Sequence, residues 1–110
     1  MSAIVNIRVA FTVLAFSMIA AAPPAQAGDA SIEIANFTFS PATLTVKPGT
    51  TVTWTNGDDI PHSIVEDSRA FHSPPLDTGE KFSMTFTAPG AVNYFCGFHA
   101  HMRGRIVVEP

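Results

Sequence analysis

The sequence contains little cysteine: Cys96 is the only one in 110 residues. A single cysteine cannot form a disulfide within the chain, so the disulfide framework common in small exported proteins is excluded. A domain of this size buries only a modest part of its surface and needs other support. Metal ligation is one such support, because a bound metal adds its binding free energy to the stability of the fold.

Basic residues are also few. Lysine and arginine total 6 against 9 aspartates and glutamates, and the formal net charge is −3 at pH 7. Proteins that bind nucleic acids present clustered positive charge. The composition therefore predicts that the protein has no nucleic-acid partner.

No apolar run is long enough to span a bilayer comfortably, since a spanning helix needs roughly 20 apolar residues. Residues 9–22 carry no charge, Arg8 precedes them, and the small-residue segment PPAQA follows them. This order is typical of a secretory signal peptide, which we place at residues 1–27, and it favours a cleaved leader over a membrane anchor. We therefore expect an exported protein with one domain at residues 28–110 and no membrane attachment after cleavage.

The sequence after residue 27 lacks a sustained helical period and alternates instead at period two. Turn chemistry such as KPGT at 47–50 separates the alternating stretches. This pattern predicts an all-β protein, an antiparallel Greek-key β-sandwich of seven to eight strands. A change of parity at Ala35–Asn36 predicts a bulge. The inward positions include Ile32, Ile34, Phe37, Phe39, Leu44, Val46, Val52, Trp54, Phe82, Met84, Phe86, Val92, Tyr94, Cys96, Ile106 and Val108.

The segment NYFCGFHAHMRG at 93–104 is rich in soft and borderline metal ligands. Cys96 ends a predicted strand on its inward parity. His99 and Met102 follow at intervals of three, in a predicted loop over residues 97–103. A loop this short can turn a thiolate, an imidazole and a thioether toward one point.

His62 lies far upstream with inward parity, on a predicted strand at 60–64. If the two regions meet, the site holds two imidazoles, a thiolate and a thioether, which is the ligand set of blue-copper electron-transfer centres. Zinc also binds cysteine and histidine, but structural zinc usually takes more thiolates, and methionine is a poor zinc ligand. Four filled positions leave no place for a substrate, so the set favours an electron carrier over an enzyme. Ser63 is a candidate to hydrogen-bond near Cys96 and steady the thiolate.

Three stretches carry a specific resemblance. They are FSPATLTVKPGTTVTWTN at 39–56, IPHS at 60–63, and YFCGFHAHMRGRIVVE at 94–109, which has the spacing Cys-x2-His-x2-Met. Over nearly the whole of residues 28–110 the sequence resembles the cupredoxins, and within them the amicyanin group. It departs from that group where prolines usually flank the second histidine, because Phe98 and Ala100 stand there and His101 is added.

The resemblance implies a cupredoxin-like sandwich that holds one type 1 copper ion. It implies that His62, Cys96, His99 and Met102 are the ligands. It further implies a periplasmic protein, expected to be a monomer, that cycles between Cu(II) and Cu(I). Its redox partners would be a quinoprotein amine dehydrogenase and a c-type cytochrome.

Two other functions stay open from the sequence. A copper-binding or copper-delivery protein is one, because His72 and His101 could bind a second metal ion. A metal-free interaction domain is the other, although it leaves Cys96 unexplained. The acidic residues Asp58, Asp59, Glu66 and Asp67 are expected to form a solvated face.

Overall fold

The computed structural model describes residues 28–110, and the predicted signal peptide lies outside them. The described residues contain eight strands, which agrees with the predicted number. They contain no apolar helix of membrane-spanning length. The strands are β1 (Asp29–Ala35), β2 (Thr38–Ser40), β3 (Thr43–Val46), β4 (Thr50–Asn56), β5 (Val65–Glu66), β6 (Lys81–Phe86), β7 (Gly90–Cys96) and β8 (His99–Val108).

The strands form two four-stranded sheets, in the orders β2-β1-β4-β6 and β3-β8-β7-β5. The predicted all-β sandwich is confirmed. Both sheets are mixed, however, because β1 runs parallel to β4 and β3 runs parallel to β8. Side chains alternate at period two in either orientation, so the sequence pattern could not distinguish parallel from antiparallel pairs.

The core lies between the two sheets and is centred on aromatic residues. Trp54 and Tyr94 are fully buried, with ring centroids 5.4 Å apart and planes at 86°. Phe39 meets the Tyr94 ring edge-on at 4.8 Å. The predicted alternation is clearest in β4, where every second residue is buried.

The first two strands are joined by a turn at Asn36–Phe37, so the predicted bulge at Ala35–Asn36 is wrong. Ala35 pairs with Thr38, which leaves a two-residue hairpin turn. Both turn residues have positive φ, 51° at Asn36 and 57° at Phe37. Tight hairpins favour this backbone, which Asn tolerates well and Phe rarely adopts. The change of parity in the sequence at Ala35–Asn36 therefore marks the turn between β1 and β2 and not an irregularity within one strand.

Tyr94 should titrate far above an ordinary tyrosine, because burial raises the pKa of its phenol from 10.0 to about 12, with the Trp54 side chain acting weakly in the opposite direction. Between these two values the unfolded chain loses the proton while the folded protein keeps it. The contribution of Tyr94 to stability should therefore be constant below about pH 10 and fall by about 2 to 3 kcal/mol as the pH approaches 12.

Tyr94 is the only tyrosine in the chain, so phenolate absorbance reports this one group. Thermal unfolding followed from pH 8 to pH 12 measures the loss of stability. The Tyr94→Phe variant is the control, and its stability curve should be flatter above pH 10. Equal slopes for the two proteins would contradict the prediction.

Candidate metal centre

Three side chains from separate parts of the chain converge at one end of the sandwich. His62 lies in the segment between β4 and β5, Cys96 ends β7, and His99 begins β8. One ligand atom from each lies within 4.8 Å of the others. The Cys96 Sγ is 3.6 Å from His62 Nδ1 and 3.7 Å from His99 Nδ1. Both imidazoles thus present the same ring nitrogen to the sulfur.

These spacings fit a metal ion bonded to all three atoms. With metal–sulfur and metal–nitrogen bonds of about 2.3 and 2.0 Å and angles near 120°, sulfur and nitrogen would lie about 3.7 Å apart. His62 and Cys96 are fully buried, and His99 is half-buried. The residues therefore fit a trigonal metal site at the edge of the core.

The hairpin that carries two of these side chains is tighter than predicted. Only Gly97 and Phe98 form the turn, and β8 begins at His99, so the predicted loop over 97–103 is wrong. Cys96 pairs with His99, and a register shift separates this pair from the Phe95–Arg103 pair. A two-residue turn is enough to reverse an antiparallel pair, so ladder pairing extends to the end of the hairpin.

Met102 lies within this irregular stretch. Residues 100–102 have no cross-strand partner between the two pairs that flank the register shift. The Met102 side chain is 3% exposed and belongs to the same buried cluster as Cys96. The extra residues give the chain room to turn this thioether inward.

His62 does not lie on a regular strand, in contrast to the strand predicted at 60–64. It forms a single bridge with Leu76, in which each backbone N–H donates to the other residue's carbonyl, at 3.1 and 2.7 Å. Pro61 precedes it and has no N–H for a longer ladder. These two hydrogen bonds hold both the N–H and the carbonyl of His62 in place.

Ser63 connects the two regions of the site, as its position next to His62 predicts. Its backbone N–H donates to Cys96 Sγ at 3.5 Å, and its Oγ accepts from the Gly97 N–H at 3.0 Å. A Cβ on residue 97 would lie 2.7 Å from that Oγ, so a larger residue there would displace the hydroxyl and weaken its hydrogen bond to the turn. The serine thus supports both the sulfur and the turn that follows it.

A model of the cupredoxin-like domain matches residues 8–108. The chain belongs to this family.

Similar proteins include bacterial amicyanins. This cupredoxin is 34% identical to amicyanin-alpha of Methylorubrum extorquens over 101 residues, covering 87% of this chain and 85% of the relative. It is 36% identical to amicyanin of Paracoccus denitrificans over 83 residues, covering 71% of this chain and 63% of that relative. Among solved structures, a purple cupredoxin from Nitrosopumilus maritimus has 38% identity and a TM-score of 0.69, covering 74% of this chain and all of that one. The amicyanin-like character expected from the sequence is confirmed.

The cofactor that the family implies is one copper ion, and His62, Cys96 and His99 are the candidate ligand group. Within the described residues no second group of this kind includes His72 or His101. Both of these histidines are exposed. The His101 ring lies 6.5 Å from that of His99, centroid to centroid.

Sequence reasoning missed the role of Asp58 in this cupredoxin. Its side chain is only 15% exposed, and its Oδ2 lies 2.8 Å from His62 Nε2, so it does not belong to a solvated face. Hydrogen bonds from the backbone N–H of Phe37 above all, and also from His62 and Asn36, lower the pKa of Asp58, although partial burial acts in the opposite direction. The only sign of this role in the sequence was that Asp58 precedes the candidate ligand His62 by four residues. Asp67 is exposed as expected and pairs with Arg103.

Two large apolar side chains are exposed beside the site. Phe98 is 54% exposed in the turn between Cys96 and His99. Phe37 is 48% exposed, so its predicted inward position is wrong, because it lies in the hairpin turn and not on a strand. The Phe37 ring stands nearly perpendicular to both imidazoles, with centroids 5.5 Å from His62 and 5.1 Å from His99. The site therefore lies under an apolar surface.

Proposed function

We propose that this cupredoxin is a blue-copper electron carrier whose metal is held by His62, Cys96, His99 and Met102. The observation that carries the proposal is the convergence of Cys96 Sγ with the Nδ1 atoms of two histidines at 3.6 and 3.7 Å. Copper bound there would supply one-electron chemistry by cycling between Cu(II) and Cu(I). Met102, which is buried in the same core cluster as Cys96, would supply a thioether as the fourth donor.

Contacts within the protein hold the proposed donors in place. The His62 backbone is bridged to Leu76, and Cys96 lies in the β7–β8 ladder. Ser63 connects these two regions through hydrogen bonds to Cys96 and Gly97. A site fixed in this way rearranges little when its charge changes, which favours fast electron exchange over metal release.

The donor set also supports a carrier rather than an enzyme. Two imidazoles, a thiolate and a thioether fill the positions around a blue-copper ion. A catalytic metal keeps one position open for water or substrate. We therefore propose no substrate for this site.

The setting proposed for the carrier is the periplasm. This rests on the signal-peptide pattern of residues 1–27 and on the similarity to amicyanins. Its proposed partners are a periplasmic amine dehydrogenase as electron donor and a c-type cytochrome as acceptor, with the carrier acting as a monomer. Neither a nucleic acid nor a membrane is part of the proposal.

A copper-delivery role is the second candidate, and the exposed His101 beside His99 favours it. A delivery protein would release Cu(I) to an acceptor chelator within one redox cycle. A carrier would keep its copper through many cycles of oxidation and reduction. Measuring the copper retained after repeated cycles with a Cu(I) chelator present separates the two functions.

The direct test of the proposed function is a titration of the purified metal-free protein with Cu(II). An intense visible thiolate-to-copper charge-transfer band should grow and saturate at one equivalent. Absence of the band would refute the blue-copper proposal. Zn(II) is the comparison metal, since it can occupy the same donors without producing a charge-transfer band in the visible.

Phe98→Glu should slow electron exchange with a c-type cytochrome while leaving the absorption spectrum nearly unchanged. Phe98 is the more exposed of the two large apolar side chains at the site and lies in the turn next to His99. A buried aromatic anchor in an interface contributes enough binding energy that its loss should lower the second-order rate constant about tenfold or more. Stopped-flow mixing with a purified cytochrome measures this constant.

Thr45→Glu is the matched control for charge. Thr45 is exposed and pairs with Val107, at the opposite end of β8 from His99. Its rate constant should stay within about twofold of the wild type, because the added charge lies outside the docking surface. Equal rate constants for the two variants would refute docking at Phe98.

A further inference from the structure

The Asp58 carboxylate forms hydrogen bonds both to a candidate ligand, His62, and to the turn at Asn36–Phe37, which is distant in the sequence. Its Oδ2 lies 2.8 Å from His62 Nε2. Its Oδ1 accepts from the Asn36 N–H at 2.7 Å, and Oδ2 also accepts from the Phe37 N–H at 3.0 Å. The partners on the turn lie 22 and 21 positions away in the sequence. One side chain thus links two parts of the fold at the metal site.

The backbone of Asp58 is itself fixed. Its N–H donates to Asn56 Oδ1 at 2.9 Å, and its carbonyl accepts from Thr78 Oγ1 at 2.6 Å. Asn56 is fully buried, and its amide donates to the carbonyls of Ile60 and Leu76. These hydrogen bonds hold the backbone of Asp58 in place, so the position of its carboxylate is well defined.

The Asp58 carboxylate stabilises the turn at Asn36–Phe37. Both residues have positive φ, a conformation that Phe rarely adopts. Asp58 accepts both of the turn's backbone N–H groups. The bonds compensate the unfavourable backbone and fix the direction of the Phe37 side chain.

The Phe37 ring in turn contacts the imidazoles. It meets His99 edge-on at 5.1 Å and His62 at 5.5 Å, centroid to centroid. His99 pairs with Cys96 through its backbone, but Phe98 and Ala100 flank it where prolines usually stand in the amicyanin group. The aromatic ring supplies lateral support that the loop sequence lacks.

We propose that Asp58 is a positioning residue for both histidine ligands. It acts on His62 directly, by accepting its Nε2–H so that Nδ1 faces Cys96, and on His99 through the turn that carries Phe37. The inference rests on the proposed copper function. A carboxylate that accepts the second ring N–H of a ligand imidazole orients the ring and makes it a stronger donor. Asp58 thereby favours the oxidised, more highly charged metal.

Asp58→Asn is the test, with Asp59→Asn as matched control. Asparagine keeps the shape but lacks the negative charge and one acceptor oxygen, so at least one of the three donors on His62, Asn36 and Phe37 loses its partner. Asp59 is an adjacent, exposed carboxylate, and its substitution removes the same charge. Asp58→Asn should weaken Cu(II) binding about 10- to 100-fold and raise the reduction potential. Asp59→Asn should change both far less, and equal shifts in the two variants would overturn the proposal.

NMR of the metal-free protein supplies a readout that does not depend on copper. In wild type and Asp59→Asn, the His62 Nε2–H should be protected from solvent, and Phe37 ring protons should show cross-relaxation with the His99 ring. Asp58→Ala, which removes both acceptor oxygens, should lose both signals. Retention of both signals would overturn the proposal, and retention of only the Phe37–His99 signal would overturn its His99 half.

Phe37→Ala keeps the inference testable if the Asp58 variants fail to fold. It should preserve the protected His62 Nε2–H and broaden or shift the His99 ring resonances. Unchanged His99 resonances would overturn the indirect route through the turn. If wild type binds no copper, the proposed function fails by itself, while these metal-free signals still decide whether Asp58 positions the two rings.

Discussion

Cys96→Ser is expected to abolish the blue absorption completely while the β-sandwich remains folded. The band requires a copper–thiolate bond, and Cys96 is the only cysteine in the chain. The core does not depend on the sulfur, because Trp54, Tyr94 and Phe39 occupy its centre. The unfolding free energy of the metal-free protein should change by no more than about 1 to 2 kcal/mol. Visible absorption after addition of Cu(II), with circular dichroism of the same sample, measures both quantities.

Ser63→Ala is the control for this loss. It removes the Oγ that accepts from Gly97 but keeps the backbone N–H that donates to Cys96 Sγ. This variant should stay blue, with a modest spectral shift. A Cys96→Ser protein that remains intensely blue would refute the proposed thiolate ligand.

Gly104→Ala is expected to be the most destabilising small substitution in the core. Gly104 pairs with Tyr94 across β7 and β8, and the tyrosine ring lies directly against it. A Cβ at this position would overlap with Tyr94 Cζ and with its hydroxyl oxygen. The ring is fully buried between Trp54 and Phe39 and cannot move aside. Overpacking of this kind should cost about 3 kcal/mol and lower the melting temperature by on the order of 10 °C or more.

A double-mutant cycle with Tyr94→Leu isolates the contact. Leucine is smaller, so Gly104→Ala should be much less destabilising in the Tyr94→Leu background than in the wild type. Chemical unfolding of the metal-free proteins gives the four free energies that the cycle requires. An equal cost in both backgrounds would show that the tyrosine ring is not the source of the strain.

The pairing of Tyr94 with Gly104 illustrates why one part of the fold could be read from the sequence and another could not. The inward parity of Tyr94 and Cys96 is a local property of an extended chain, and the structure buries both. The partner that makes glycine necessary at residue 104 lies on another strand. No local pattern of residues identifies a cross-strand contact of this kind.

The sequence by itself determined the all-β class, the inward faces and the chemistry of the donor set. Alternation and residue type are carried by consecutive residues, and the spacing of Cys96, His99 and Met102 is short. Tertiary structure alone decided the parallel pairs, the early start of β8 at His99 and the link from Asp58 to His62 and the Asn36–Phe37 turn. These features depend on which distant backbones meet. The free energy of such contacts is set by the assembled sandwich, whereas the parity of a side chain is set by its own strand.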